Sequence, residues 1–158
     1  MEYIERDLEK LLFEYRDREE ILAVIGPRRC GKTTILKHIA SKLKNSVFLS
    51  FDDKSVLDLF EQDIKKFAET YNHKYKYIFI DEFQYAKNGG KNLKFLYDLH
   101  HTKMFVSGSS SIDLTINTVK FLVGRVFIMN LYPLSFDEFL RYKNNKLYNN
   151  LKIIKKNF

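Results

Sequence analysis

Short apolar runs alternate with segments of helical periodicity along most of the chain. Each run is four or five residues long and lacks the alternation of apolar and polar residues that is typical of a strand with one solvated face. Strands that are apolar on both faces are typical of a parallel sheet covered by helices on both sides. The pattern therefore predicts an α/β fold with five strands, at residues 21–25, 47–51, 77–80, 104–107 and 125–129.

The intervening segments repeat their apolar residues at helical spacing. They predict helices around residues 35–43, 56–68 and 93–99, and a short helical stretch after the fourth strand. Another helix is expected before the first strand, with a stripe that docks on the core and an acidic, solvated opposite face. The residues of that stripe are Ile4, Leu8, Leu11, Leu12 and Tyr15.

Length and composition favour one folded domain. The chain has 158 residues, of which 45% are hydrophobic and 30% charged, with only 6 Gly and 2 Pro, so collagen-like and disordered classes are excluded. No apolar run approaches the roughly 18 residues of a membrane span, and the charged N-terminus lacks the apolar segment of a signal peptide. We therefore expect a cytoplasmic protein with no membrane partner.

The net charge of +7 is concentrated at one end. No acidic residue follows Glu138, whereas six basic residues do. The sequence thus divides into a core at 1–141 and a basic, Lys/Asn-rich tail at 142–158. A basic tail can bind nucleic acid, but such a terminus is at least as often simply solvated or frayed.

A phosphate-binding motif lies between the first strand and the next helix. In GPRRCGKTT, the positions of Gly26, Gly31, Lys32 and Thr33 match G-x-x-x-x-G-K-T. Glycines let the backbone curl around phosphates, and the following helix presents its positive end to the same anion. Lys32 is expected to reach the β- and γ-phosphates, and Thr33 to bind Mg²⁺. The predicted cofactor-binding residues also include Pro27, Arg28, Arg29, Cys30 and Thr34.

A second motif is the strand that ends in two carboxylates, YIFIDEFQ. In a protein with a phosphate-binding loop, a carboxylate at this edge lies beside the metal held by the loop hydroxyl. Asp81 is therefore predicted as a metal ligand, and Glu82 as the general base for the attacking water. The alternative is a plain exit of the strand into solvent.

Four segments in this order resemble ATPases of the AAA+ superfamily from archaea and bacteria, whose fuller members carry a C-terminal domain of unknown function or a nuclease-like domain. The segments are GPRRCGKTTIL, IFIDEFQ, LYDLHHTKMFVSGSSSIDL and VGRVFIMNLYPLSFDEFL. The resemblance covers roughly residues 3–141. It implies ATP and Mg²⁺ as cofactors and a three-layer P-loop fold with strand order 5-1-4-3-2, the fourth strand lying between the two motif-bearing strands.

The fourth strand would then bring serines to the site. Ser107, Ser109 or Ser110 is expected to sense the γ-phosphate or hold the water, with Ser109 as the catalytic candidate; the alternative is a turn that caps a helix at Ser111. By resemblance, Arg125 is a candidate contact to the γ-phosphate of its own or a neighbouring subunit, and a surface ion pair is the alternative.

The chain departs from that family where a helical lid is expected, because little sequence follows LYPLSFDEFL. The sequence therefore supports ATP binding more strongly than ATP hydrolysis. A second copy in a homo-oligomer, or a partner chain, could supply the lid. Cys30 is interpreted as a steric choice in a tight loop rather than a redox switch. The four histidines, His38, His73, His100 and His101, show no metal-ligand spacing.

These observations predict a Mg²⁺-dependent ATPase. One alternative is a non-hydrolysing ATP-binding switch or assembly module, and another is a protein that associates with DNA through the basic tail.

Overall fold

The computed structural model describes residues 3–100, 102–109 and 120–156 and contains a five-stranded parallel sheet. The strand order is β2-β3-β4-β1-β5, which confirms the predicted 5-1-4-3-2 order. The strands are β1 Ile21–Gly26, β2 Ser46–Ser50, β3 Tyr77–Asp81, β4 Lys103–Ser109 and β5 Val126–Asn130.

Helices connect and flank these strands. They are α1 Asp7–Glu14, α2 Lys32–Lys42, α3 Lys54–Gln62, α4 Ile64–Phe67 continued by a π-helical turn Ala68–Asn72, α5 Gly89–Asp98, α6 Phe136–Lys143 and α7 Asn145–Lys156; a 3₁₀ turn, Phe83–Tyr85, follows β3. The helical stretch predicted after β4 lies at residues 110–119, outside the described part of the chain.

Two hydrophobic cores cover the two faces of the sheet. Successive residues of a strand point to opposite faces, so Ile78 and Ile80 of β3 pack with α3, α4 and α5, whereas Tyr77 and Phe79 pack with α1 and α2. Phe79 also stacks on Phe105 of β4, with ring centroids 4.4 Å apart. Burial on both faces explains why the strands are continuously apolar.

The parallel register brings three strand ends to one edge of the sheet. Gly26 of β1 is paired with Ser109 of β4, and Ser50 of β2 with Asp81 of β3. Because the carboxyl ends of parallel strands share an edge, the loop after β1, the acidic end of β3 and the serine end of β4 lie together.

The first helix docks as expected, but its stripe differs from the prediction. Leu12 is fully buried, whereas Leu11 is 38% exposed. Glu9, predicted to be solvated, is buried because its carboxylate accepts hydrogen bonds from Tyr3 and Lys42 (2.8 Å each) and lies 3.2 Å from His38 Nε2. The expectation of a uniformly solvated acidic face is therefore wrong at this position.

The single helix predicted at 56–68 is broken. Asp63 adopts φ −142° and ψ 75°, which ends α3, and its carboxylate accepts a hydrogen bond from Lys66 N (2.9 Å) to cap α4. A short acidic side chain competes in this way for backbone donors. The spacing of apolar residues continues across Asp63, so it does not indicate where the helix is interrupted.

A buried ion pair joins the two ends of the described chain. The Arg6 guanidinium donates to Glu138 Oε1 of α6 at 3.0 Å, to Cys30 O at 2.8 Å and to Tyr132 O at 2.6 Å. The Glu138 carboxylate also accepts from the backbone N–H of Asp7 and closes a capping box with Ser135. Residues 145–156, within the predicted basic tail, form helix α7.

Among the described helices, none has the length and apolarity needed to cross a membrane.

We expect Glu138→Gln to lower the stability of the fold in a pH-dependent manner. Burial alone raises the pKa of Glu138, but hydrogen bonds from Ser135, Asp7 and Arg6 outweigh it and hold the pKa below its ordinary value of 4.5. The charged form therefore stabilises the fold above pH 4.5, and this contribution is lost as the pH falls through the lower, folded pKa. At pH 7 the variant leaves the Arg6 charge unpaired, which costs about 3 kcal/mol, or roughly 6 to 12 °C in Tm.

Thermal unfolding between pH 7 and pH 3 checks this expectation. The Tm difference between wild type and Glu138→Gln should shrink toward acid, whereas Glu14→Gln, on the exposed side of α1, should match wild type throughout. A difference that is constant with pH would contradict the role given to the Glu138 charge.

Candidate functional site

The loop after β1 has the backbone of a phosphate-binding turn. Arg29 and Gly31 have positive φ values of 65° and 99°. A Cβ on Gly26 would lie 2.1 Å from the carbonyl oxygen of Leu131, so no larger residue fits between the loop and the end of β5. Both motif glycines are therefore required by the local geometry.

Helix α2 starts at the end of this loop. Its first internal hydrogen bond runs from Ile35 N to Gly31 O (2.9 Å), so the amides that precede Ile35 have no partner within the helix. Lys32 is only 7% exposed, and its Nζ donates to the carbonyls of Gly26 (3.0 Å) and Pro27 (2.8 Å). The loop thus holds a cation and free helix-end donors together, the combination that binds an anion.

The Asp81 carboxylate joins three elements at the sheet edge. Thr33 Oγ1 of α2 donates to Asp81 Oδ2 at 2.7 Å, and Ser107 Oγ of β4 donates to Asp81 Oδ1. Asp81 is 3% exposed, so these hydroxyls satisfy a carboxylate that would otherwise be costly to bury. The structure therefore brings the two predicted metal ligands, Thr33 and Asp81, into direct contact.

Glu82 turns away from the strand. Its backbone is left-handed, with φ 56° and ψ 40°, and the 3₁₀ turn begins after it. Gln84 Nε2 donates to Glu82 Oε2. The Glu82 carboxylate therefore has a partner from its own turn, whereas Asp81 is bound by Thr33 and Ser107.

A cavity of about 560 Å³ lies over the loop and is lined by loop residues together with Glu82 and Ser109. The loop residues Arg28, Arg29, Lys32 and Thr33 lie on one side, and Glu82 and Ser109 on the other. A polar cavity of this size with basic and acidic walls can hold an anion together with a cation.

A second cavity, of about 420 Å³, opens beside the first and shares Arg29, Gly31 and Thr34 with it. Its walls are mainly apolar and come from the segment before α1, from α2 and from the segment after β5: Tyr3, Ile4, Ile35, Pro133 and Leu134. The Cys30 side chain is buried in the core beneath the loop.

The serines predicted at the end of β4 take different positions. Ser107 is buried against Asp81, whereas Ser109 lines the first cavity and its backbone N–H donates to Gln84 Oε1 (3.2 Å). Ser110 and the cap position Ser111 lie outside the described residues.

Arg125 lies at the opposite edge of the sheet. Its carbonyl accepts from the N–H of Ile21 at the start of β1, and its guanidinium pairs with Asp98 at 3.4 Å. The length of β1 separates Arg125 from the phosphate-binding loop of its own chain, so the structure does not bring it together with the other predicted site residues. A contact with a neighbouring subunit stays a prediction.

Sequence reasoning missed four residues of this region. Asp52 and Tyr85 line the first cavity. Gln84 donates a hydrogen bond to Glu82, and Arg6 donates one to the loop carbonyl of Cys30. Gln84 stands inside the motif DEFQ, which was a usable signal. Nothing local marks Arg6, because its partners are 24, 126 and 132 residues away.

Two curated relatives match the chain. An uncharacterised protein of Haemophilus influenzae is 30% identical over 146 residues, covering 84% of this chain and 36% of its own length. An uncharacterised protein of Methanocaldococcus jannaschii is 31% identical over 146 residues, covering 89% of this chain and 32% of its own length. The chain therefore spans about a third of the length of these relatives.

Solved structures share the fold at low identity. A Walker-type ATPase of Pyrococcus abyssi has a TM-score of 0.59 at 15% identity, covering 92% of this chain and 59% of that protein. Unliganded Pif1 from Bacteroides has a TM-score of 0.57 at 16% identity, covering 83% and 42%. PCH-2 of C. elegans has a TM-score of 0.53 at 18% identity, covering 92% and 44%.

The family model described as an AAA domain matches residues 18–140, which include every strand, the phosphate-binding loop and the acidic end of β3. The chain thus belongs to this AAA domain family and has the core of an AAA+ P-loop ATPase.

Proposed function

We propose that this chain binds ATP with Mg²⁺ and hydrolyses the bond to the γ-phosphate. The observation that carries the proposal is the 2.7 Å contact of Thr33 and Asp81, at the edge of a cavity that Lys32 and Glu82 also line. A phosphate-binding loop, a pair of metal ligands and a candidate base thus converge at one place.

The loop supplies the phosphate contacts. Lys32 Nζ already lies over the loop through its bonds to Gly26 and Pro27, so phosphate oxygens entering the cavity can replace these carbonyls. The free amides at the start of α2 add donors aimed at the same charge. Arg28 and Arg29, at the cavity wall, raise the local positive potential.

The chemistry of the donor set fits Mg²⁺. Thr33 and Asp81 present a hydroxyl and a carboxylate oxygen, and Mg²⁺ in nucleotide sites takes one or two protein oxygens besides phosphates and waters. The ion would neutralise charge on the β- and γ-oxygens during phosphoryl transfer. Ser107 donates to the other oxygen of Asp81 and so helps to fix the orientation of the carboxylate.

Glu82 is the candidate for the proton transfer. A carboxylate at the cavity wall can accept a proton from a water that attacks the γ-phosphate in line, which lowers the barrier to that step. Since Asp81 is occupied by two hydroxyls, the two carboxylates have separate tasks.

The second cavity suits the nucleoside. It adjoins the loop through Gly31 and Thr34, and its apolar walls, from Ile4, Pro133 and Leu134, match the faces of a purine ring. A base bound there would contact both the segment before α1 and the segment after β5.

ATP binding without turnover is the second candidate function. Arg125 lies at the far edge of the sheet, so the arginine predicted to contact the γ-phosphate is not supplied within the chain. In this candidate, hydrolysis would depend on an arginine from a neighbouring copy or a partner chain. Tight ATP binding with no product by the isolated chain would favour this candidate.

Lys32→Ala should abolish stabilisation of the fold by ATP. Ligand at a hundredfold excess over Kd stabilises the native state by about 2.7 kcal/mol, or roughly 5 to 10 °C in Tm, and losing the lysine removes that shift. Thermal unfolding with and without ATP and Mg²⁺ measures it. The matched control is Lys37→Ala, an exposed lysine of the same helix; an equal ATP shift in both variants would refute the role of Lys32.

Glu82→Gln should retain ATP binding and lose turnover. Loss of a positioned base typically lowers a rate by 10²- to 10⁴-fold, while the loop and the metal ligands are unchanged. Phosphate release is compared among wild type, Glu82→Gln and the exposed-surface control Glu69→Gln. If Glu82→Gln turns over ATP as fast as the control, Glu82 is not the base.

A further inference from the structure

Gln84 occupies a rigid position beside the site. It lies in the 3₁₀ turn that follows Glu82, next to Phe83, which is 1% exposed. The Phe83 ring packs on Phe51 and Phe60, with centroids 5.7 and 6.0 Å apart, and a Cβ on Gly89 would come within 2.8 Å of it. The turn is therefore anchored in the core, and the origin of the Gln84 side chain is fixed.

The Gln84 amide uses both of its ends. Its Nε2 donates to the Glu82 carboxylate, and its Oε1 accepts the backbone N–H of Ser109 at 3.2 Å. The opposite orientation would set oxygen against carboxylate and N–H against N–H, so the two partners determine how the amide is turned. One side chain thus connects the ends of β3 and β4.

This connection addresses a requirement of the site. A glutamate carboxylate has three rotatable bonds, and a general base is effective only when it is held at one place relative to its water. Neither Thr33 nor Ser107 holds Glu82, because both donate to Asp81.

We propose that Gln84 is a positioning residue that orients the Glu82 carboxylate, with the end of β4 as its fixed support; this rests on the proposed function. Gln84 acts only through Glu82. Removing it should lower kcat about 10- to 100-fold and leave ATP binding unchanged.

Two substitutions separate the contacts of Gln84. Gln84→Met keeps the length of the side chain and removes both hydrogen bonds. Gln84→Glu keeps an acceptor for Ser109 N–H but places a second carboxylate against Glu82. Both should lose kcat, Gln84→Glu at least as strongly, with the ATP-induced Tm shift of wild type. Gln62→Met, at the exposed end of α3, is the matched control and should leave kcat unchanged.

A double variant tests whether Gln84 acts through Glu82. In the Glu82→Gln background, Gln84→Met should cause no further loss of kcat, because the carboxylate it orients is gone. An additional loss equal to that in wild type would overturn the proposal, as would an unchanged or increased kcat in Gln84→Met, or a lost ATP-induced Tm shift. A wild-type chain without turnover overturns the proposed function itself, whereas turnover that Gln84→Met leaves intact overturns only the role of Gln84.

Discussion

The site depends on one buried carboxylate. The Asp81 carboxylate can be buried at 3% exposure because Thr33 and Ser107 each donate a hydroxyl hydrogen bond to it. The three residues belong to β3, α2 and β4, so their meeting requires the parallel register of the sheet as well as the helix that follows the loop. Any shift of one strand would leave a buried carboxylate without its partners, so this edge of the sheet and the contact between Thr33 and Asp81 form a single structural unit.

The buried guanidinium of Arg6 contacts the phosphate-binding loop. Arg6 reaches a loop carbonyl, that of Cys30, and the carboxylate of Glu138 on α6. The apolar cavity beside the loop is bordered by the same two segments, residues 3–6 and 133–134. The two segments that border this cavity are thus joined by the ion pair between Arg6 and Glu138.

Features with a local sequence signal were predictable. The loop and the acidic end of β3 follow from motifs and apolar runs, whose physical causes act over a few residues, whereas the strand order was implied by the resemblance to AAA+ ATPases. Periodicity reports which face is apolar but not where a helix ends, so the break at Asp63 was missed. Burial of Glu9 and the position of Arg125 depend on partners elsewhere in the chain, and no local pattern encodes those. The expected division at 141/142 falls within α6, and the role of residues 142–158 stays a prediction.

The two acidic residues of the motif differ in how firmly they are held. Asp81 is held by two hydroxyls, one from α2 and one from β4. If these hydrogen bonds were broken, the contacts of α2 and β4 with the end of β3 would be lost. The Glu82 carboxylate accepts a hydrogen bond from the side-chain amide of Gln84. The oxygen of that amide in turn accepts a hydrogen bond from a backbone N–H at the end of β4. That N–H belongs to Ser109, which lines the proposed phosphate cavity.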